Sequence, residues 1–141
     1  MSIYDDIRGA FEKRLSETSN LPTQIAWENV TFRPSTNTAY MQPRMIFTSR
    51  RPAVRFSDPQ NRYLGVFQVL IYVPENAGPS AADDYADTLI SAFDATTDIS
   101  FTNASAETII VSVDYAEREN GIAIPNWYYV PVNIGWYIYS Q

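Results

Sequence analysis

Arg62-Tyr63-Leu64-Gly65-Val66-Phe67-Gln68-Val69-Leu70-Ile71-Tyr72-Val73 reads as one long β-strand. Successive strand side chains point to opposite faces. Tyr63, Gly65, Phe67, Val69, Ile71 and Val73 therefore share one side, and Leu64, Val66, Gln68, Leu70 and Tyr72 the other. Both sides are largely apolar, which predicts a central strand covered on both faces. Pro74-Glu75-Asn76-Ala77-Gly78-Pro79 ends it, since two prolines and a glycine cannot continue a ladder.

Downstream, the period changes from two to that of a helix. Ala82, Ala86, Leu89, Ile90 and Phe93 form one apolar stripe. Ser80 is placed to cap this helix, with Asp83 in capping-box position. Asp83, Asp84 and Asp87 load its first half with the sign the helix dipole favours. Ile99-Ser100-Phe101 and Glu107 to Tyr115 read as strands, and Asn120-Gly121 carries a hairpin signal. The last strand is Tyr128 to Tyr139. Val130, Val132, Ile134, Trp136 and Ile138 occupy one face; Tyr129, Asn133, Gly135, Tyr137 and Tyr139 occupy the other, which is expected to be wet or partner-facing.

Upstream, Ile3, Ile7, Ala10, Phe11 and Leu15 define an amphipathic helix. Ser2 is its expected cap, Asp5 and Asp6 sit in its first turn, and Lys13 and Arg14 lie near its end. Ile25 to Phe32 is expected to be the first strand, residues 33–42 a loop, and Arg44 to Arg50 a second strand. Ala53-Val54-Arg55-Phe56 reads equally as a short strand or a projecting loop, and Asp58-Pro59-Gln60-Asn61 as a turn. The sum is a single α+β domain over residues 1–141. It has a largely antiparallel β-sheet with two α-helices packed on one face.

The composition narrows the chemistry. The chain has no histidine and no cysteine, while aromatic residues make up 14% of it. Histidine is the side chain suited to proton transfer near neutrality, and cysteine the most nucleophilic ordinary one. Lys13 is the only lysine, so a Ser–Lys dyad would depend on a helix end facing water. Asp5-Asp6 and Asp83-Asp84 sit at helix starts, where dipole effects account for them better than acid/base catalysis does. Asp83, Asp87 and Asp94 read more readily as a solvated face than as a cation site, because no Asp-x-Asp-x-Asp-Gly loop exists. No catalytic residue, cofactor site or metal site is expected. The aromatics Trp127, Tyr128, Tyr129, Trp136, Tyr137 and Tyr139 read first as core and cross-strand pairs, and second as a sugar-binding face. The N-terminus carries Asp5-Asp6 where a signal peptide would be basic, and no apolar run approaches a membrane span. The expectation is synthesis in the cytoplasm and no membrane contact.

Charge is segregated. The net charge is −6. Residues 33–62 hold six arginines (Arg33, Arg44, Arg50, Arg51, Arg55, Arg62) against the single acid Asp58, a local net of +5. Residues 75–119 hold ten acids against Arg118, a local net of −9. Arginine is the residue of interfaces and bidentate carboxylate pairing. The arginine segment is therefore read first as a docking surface for the acidic half of an identical subunit. A solvated loop ranks second and a phosphate patch third. The expected contact joins Arg44, Arg50, Arg51, Arg55 and Arg62 of one copy to Asp83, Asp84 and Asp87 of the next. It is head-to-tail, and such contacts close into rings when the rotation allows.

The order of elements carries a resemblance. An amphipathic helix leads into Ile25-Ala26-Trp27-Glu28-Asn29; a basic loop and Gly65-Val66-Phe67-Gln68-Val69 follow. Then come Val73-Pro74-Glu75-Asn76-Ala77-Gly78 and a helix with Ala86-Asp87 and Phe93. The pattern resembles the small tail terminator (tail completion) proteins of long-tailed bacteriophages and related phage domains. The resemblance implies a non-enzymatic virion protein forming a six-membered ring on the head-proximal end of the tail tube. It also implies that the ring stops tube polymerisation and meets the head connector or stopper, and that DNA passes through its lumen without specific binding. Another neck component, a head–tail connector or stopper, is the nearest alternative. A small carbohydrate-binding module and a carboxylate-only enzyme are the more distant ones.

Overall fold

The computed structural model describes residues 2–54, 60–95 and 97–140. Helix α1 spans Ile3–Glu17, with Ser2 as its cap accepting the Tyr4 N–H. Its apolar stripe is the expected one: Ile7, Ala10, Phe11 and Leu15 are buried. Strand β1 is only Gln24–Ile25, and β2 runs Tyr40–Val54. Strand β3 is Gln60–Pro74, helix α2 is Ser80–Ala92, β4 is Asp98–Thr102 and β5 is Thr108–Arg118. Strands β6, Ile122–Ile124, and β7, Trp127–Ser140, complete the chain. The sheet order is β1-β2-β3-β7-β5-β4, with β6 pairing β7, and every pairing but β1–β2 is antiparallel. The fold is the α+β sandwich read from the sequence.

Both helices lie on one face and bury the Tyr63, Phe67, Val69 and Ile71 side of β3. Phe11 of α1 meets Phe67 at 5.1 Å, Phe93 at 5.8 Å and Trp136 at 6.1 Å between ring centroids. Trp136 Nε1 donates to Met45 Sδ at 3.2 Å, which gives the buried indole a partner. Two glycines permit the close approach. A Cβ on Gly9 would lie 2.7 Å from the Phe101 ring, and one on Gly65 would lie 2.7 Å from the Trp136 ring. Helix α1 touches β2 through Tyr4 on Phe47 and β4 through Gly9 on Phe101, so the sheet curls around it.

Four local expectations are corrected. Ile25 to Phe32 is not a strand. Val30 N–H turns back to the Trp27 carbonyl and Asn29 has φ 57°, a left-handed residue that ends the ladder after Ile25. Strand β2 begins at Tyr40, inside the expected loop, and runs through Pro43 and Pro52. Beyond Met41 no strand pairs its outer edge among the described residues, and an edge tolerates proline. Ser80 is not the cap of α2: Pro79 is, without a side-chain bond, and Asp83 turns to Arg118 instead of closing a capping box. The hairpin turn lies at Pro125–Asn126, between Ile124 and Trp127, and not at Asn120-Gly121. Proline followed by a left-handed residue (Asn126, φ 71°) is a type II arrangement. Residues 55–59, with Arg55, Phe56 and Asp58, lie outside the described residues.

The second face of β3 is also not covered as expected. Leu64, Val66, Gln68, Leu70 and Tyr72 are half-buried, because α1 and α2 both pack on the other side of the sheet. Among the described residues, the segment 26–34 folds across one corner, with Phe32 on Tyr40, and Trp127 of β7 stands edge-on to Tyr40 and Tyr72.

Candidate assembly surface

The expected basic residues lie on two adjacent strands. Arg44, Arg50 and Arg51 stand on β2 and Arg62 on β3, all exposed. Register sorts them. Arg44 faces Gln68, and Arg51 faces Arg62, on the side away from the helices. A bulge between Phe47 and Ser49 shifts the alternation, so Arg50 pairs with Tyr63 on the helix side. Arg55 lies outside the described residues.

Two of these guanidinium groups, those of Arg50 and Arg62, rest on aromatic rings. Arg50 sits 5.7 Å from the Tyr63 centroid and its Nε donates to the Tyr63 hydroxyl at 3.1 Å. Arg62 lies 5.9 Å from the Tyr137 centroid. Among the described residues the ion pairs are Arg8–Asp5, Arg8–Glu28, Lys13–Glu17 and Arg118–Asp83. The arginines of β2 and β3 therefore have no carboxylate within ion-pair distance there. Arg51 directly opposite Arg62 is a like-charge pair, which destabilises a sheet unless something else neutralises it.

The acids of α2 are on the other face of the sheet. Asp84 and Asp87 are exposed on α2, across the sheet from Arg44, Arg51 and Arg62. Asp83 is engaged within the chain by Arg118. That hydrogen bond, with Asp83 and Asp87 as neighbouring charges, raises the Arg118 pKa although burial pulls it the other way. Asp83, Asp87 and Asp94 do not form a cation cage: among the described residues no group of three or more His, Cys, Asp or Glu could hold a metal ion.

The structure adds features the sequence reading missed. Glu28 accepts the Met45 N–H and blocks part of the β2 edge. An open groove of about 610 Å³ separates residues 26–34 from Gln42, Arg44, Gln68 and Leu70. Asp6 is buried, not a solvated dipole partner, and its Oδ2 accepts from Asn103 Nδ2 at 3.1 Å. Asn103 Oδ1 in turn accepts from the Ser105 and Glu107 N–H groups and shapes the β4–β5 hairpin. Arg14 Nε donates to the Ala92 carbonyl at 2.8 Å, closing the end of α2, which has no basic residue of its own there. The arginine-rich composition pointed to interface charge but not to this use. Of the aromatics weighed as a sugar face, Trp136 is core, and Trp127 and Tyr129 are cross-strand neighbours of Tyr72.

Comparison with known proteins agrees with this architecture. A solved structure with 27% sequence identity superposes with a TM-score of 0.71, covering 98% of this chain and 96% of its own. No curated protein matches the sequence. The family described as phage tail terminator protein matches residues 6–136, from the first turn of α1 to Trp136 at the centre of the core. The chain belongs to the phage tail terminator family, structural proteins that complete the tail of the virion.

Proposed function

We propose that the protein forms a ring, six-membered as the family resemblance implies, on the head-proximal end of the tail tube. There it ends tube polymerisation and presents a surface to the head connector or stopper. The observation that carries this is the segregation of charge within a fold of the terminator family. Arg44, Arg50, Arg51 and Arg62 protrude without carboxylate partners among the described residues, while the acids gather elsewhere. A patch that is not self-complementary suits a head-to-tail joint, and a closed set of such joints is a ring. Arg55 belongs to the same proposed contact by sequence. Asp83, Asp84 and Asp87 are the acids that the sequence alone sets against it in the next copy. A net charge of −6 suits a conduit through which DNA passes without being gripped.

The test is tail length in cells infected by phage lacking this chain. Tubes should overrun their normal length and fail to join heads. Tails of normal length that join heads would overturn the terminator reading. Normal-length tails that stay apart from filled heads would point to the stopper alternative.

A further inference from the structure

The two edges of the sheet differ in charge, and we infer that the edge of β2 in one copy docks on the β4–β5 edge of the next. This rests on the ring reading and names the acidic half of its joint. From Ile46 onward β2 has no strand on its outer side among the described residues, and its exposed charges are Arg50 and Arg51, with Arg44 just before. At the other edge, β4 pairs with β5 alone among the described residues, and β5 runs on past β4. From Asp114 to Arg118 the side of β5 away from β7 has no strand partner among the described residues. That edge displays Asp98, Asp114 and Glu117, all exposed and without a cationic partner among the described residues. Ile110, 57% exposed, and Tyr115 stand beside them.

Of the α2 acids, Asp83 and Asp87 compete less well for the joint, and Asp84 stands apart from the sheet edge on the helix. Asp83 is held by Arg118, and Asp87 contributes to the same local field. The edge carboxylates have no cation at ion-pair distance among the described residues. Both edges are also unfit for a continuous backbone ladder. β2 carries a bulge at Phe47/Ser49 and prolines at 43 and 52, and β5 carries a bulge between Val113 and Tyr115. Bulges and prolines are how edges avoid promiscuous pairing. The joint is therefore made by side chains, arginine to carboxylate, with Ile110 and Tyr115 covered alongside. The unlike edges lie on opposite sides of β3 and β7, so each copy offers one of each.

The test uses two triple variants. One carries Arg44→Glu, Arg50→Glu and Arg51→Glu; the other carries Asp98→Arg, Asp114→Arg and Glu117→Arg. Each has like charge on both edges and should associate roughly 100-fold more weakly than the wild type, by sedimentation alone or on isolated tail tubes. Mixed in equal amounts, they should assemble again as an alternating, even-membered ring. Unfolding midpoints near the wild-type value establish that both fold. If the wild type assembles but the second variant assembles equally well, while Asp84→Lys with Asp87→Lys abolishes assembly, the edge joint is wrong and the ring stands. If both triple variants fail and the mixture does not recover, the edge joint is also wrong. If the wild type neither assembles nor binds tubes, the ring reading itself fails.

Discussion

At the scale of residues, this fold relies on asparagine where many proteins use glycine. Asn20, Asn29, Asn37, Asn76 and Asn126 all have positive φ, whereas Gly78 is the glycine that does. Asparagine tolerates the left-handed region at a modest cost that other side chains exceed. Asn126→Ala should therefore lose about 1–2 kcal/mol at the β6–β7 turn, while Asn126→Gly should match or exceed the wild type in urea unfolding. Gly65 is a different case, needed for space. Gly65→Ala would drive a methyl group toward the Trp136 ring and the Ile46 carbonyl, and should cost about 1–3 kcal/mol. Glu12 gives a pH prediction. Burial, with Glu28 nearby and Arg8 opposing, raises its pKa above the ordinary 4.5. The folded chain keeps that proton where the unfolded chain has already lost it. The folded state thus binds more protons in that window, and this group's contribution declines as pH rises from 4.5 through the raised value. Glu12→Gln should remove the decline; denaturant midpoints compared between acidic and neutral buffer would reveal it, and an unchanged slope would refute it.

At the scale of elements, the two helices and β3 were legible because their periodicity is strong and their ends are marked. Ser2 caps α1 as read, and Pro74 closes β3. The β2 strand was only half legible, because Pro43 and Pro52 argue against a strand unless its outer edge is known to be free. That is a tertiary fact. The β1 error has the same origin: Ile25 to Phe32 has strand composition, but a left-handed Asn29 turns it into a cover over Tyr40. Asn120-Gly121 carried a hairpin signal, but β5 and β6 both pair with β7 and never with each other. The charge segregation was fully readable. What it left open was that Arg118 occupies Asp83 and that register splits Arg50 from Arg44, Arg51 and Arg62. Packing between elements makes its own prediction. Phe11 joins α1 to Phe67, Phe93 and Trp136, so Phe11→Ala should cost about 3–5 kcal/mol in unfolding free energy.

At the scale of the whole molecule, the helix side is a finished core and the opposite face and edges are not. Leu64, Val66 and Leu70 stay half-buried, and Arg51 and Arg62 stand opposite one another with no carboxylate at ion-pair distance among the described residues. Such a surface is what a subunit of the proposed ring would set against its neighbours. Because the proposed joint is ionic and accessible, raising salt should loosen it, and sedimentation across a salt series would detect this. The most direct measurement is an averaged electron image of headless tails at their head-proximal end. The account predicts a closed ring of this chain there, with the β2 arginines of each copy against carboxylates of its neighbour. A bare tube end, or a ring in which those arginines point into open water, would contradict it.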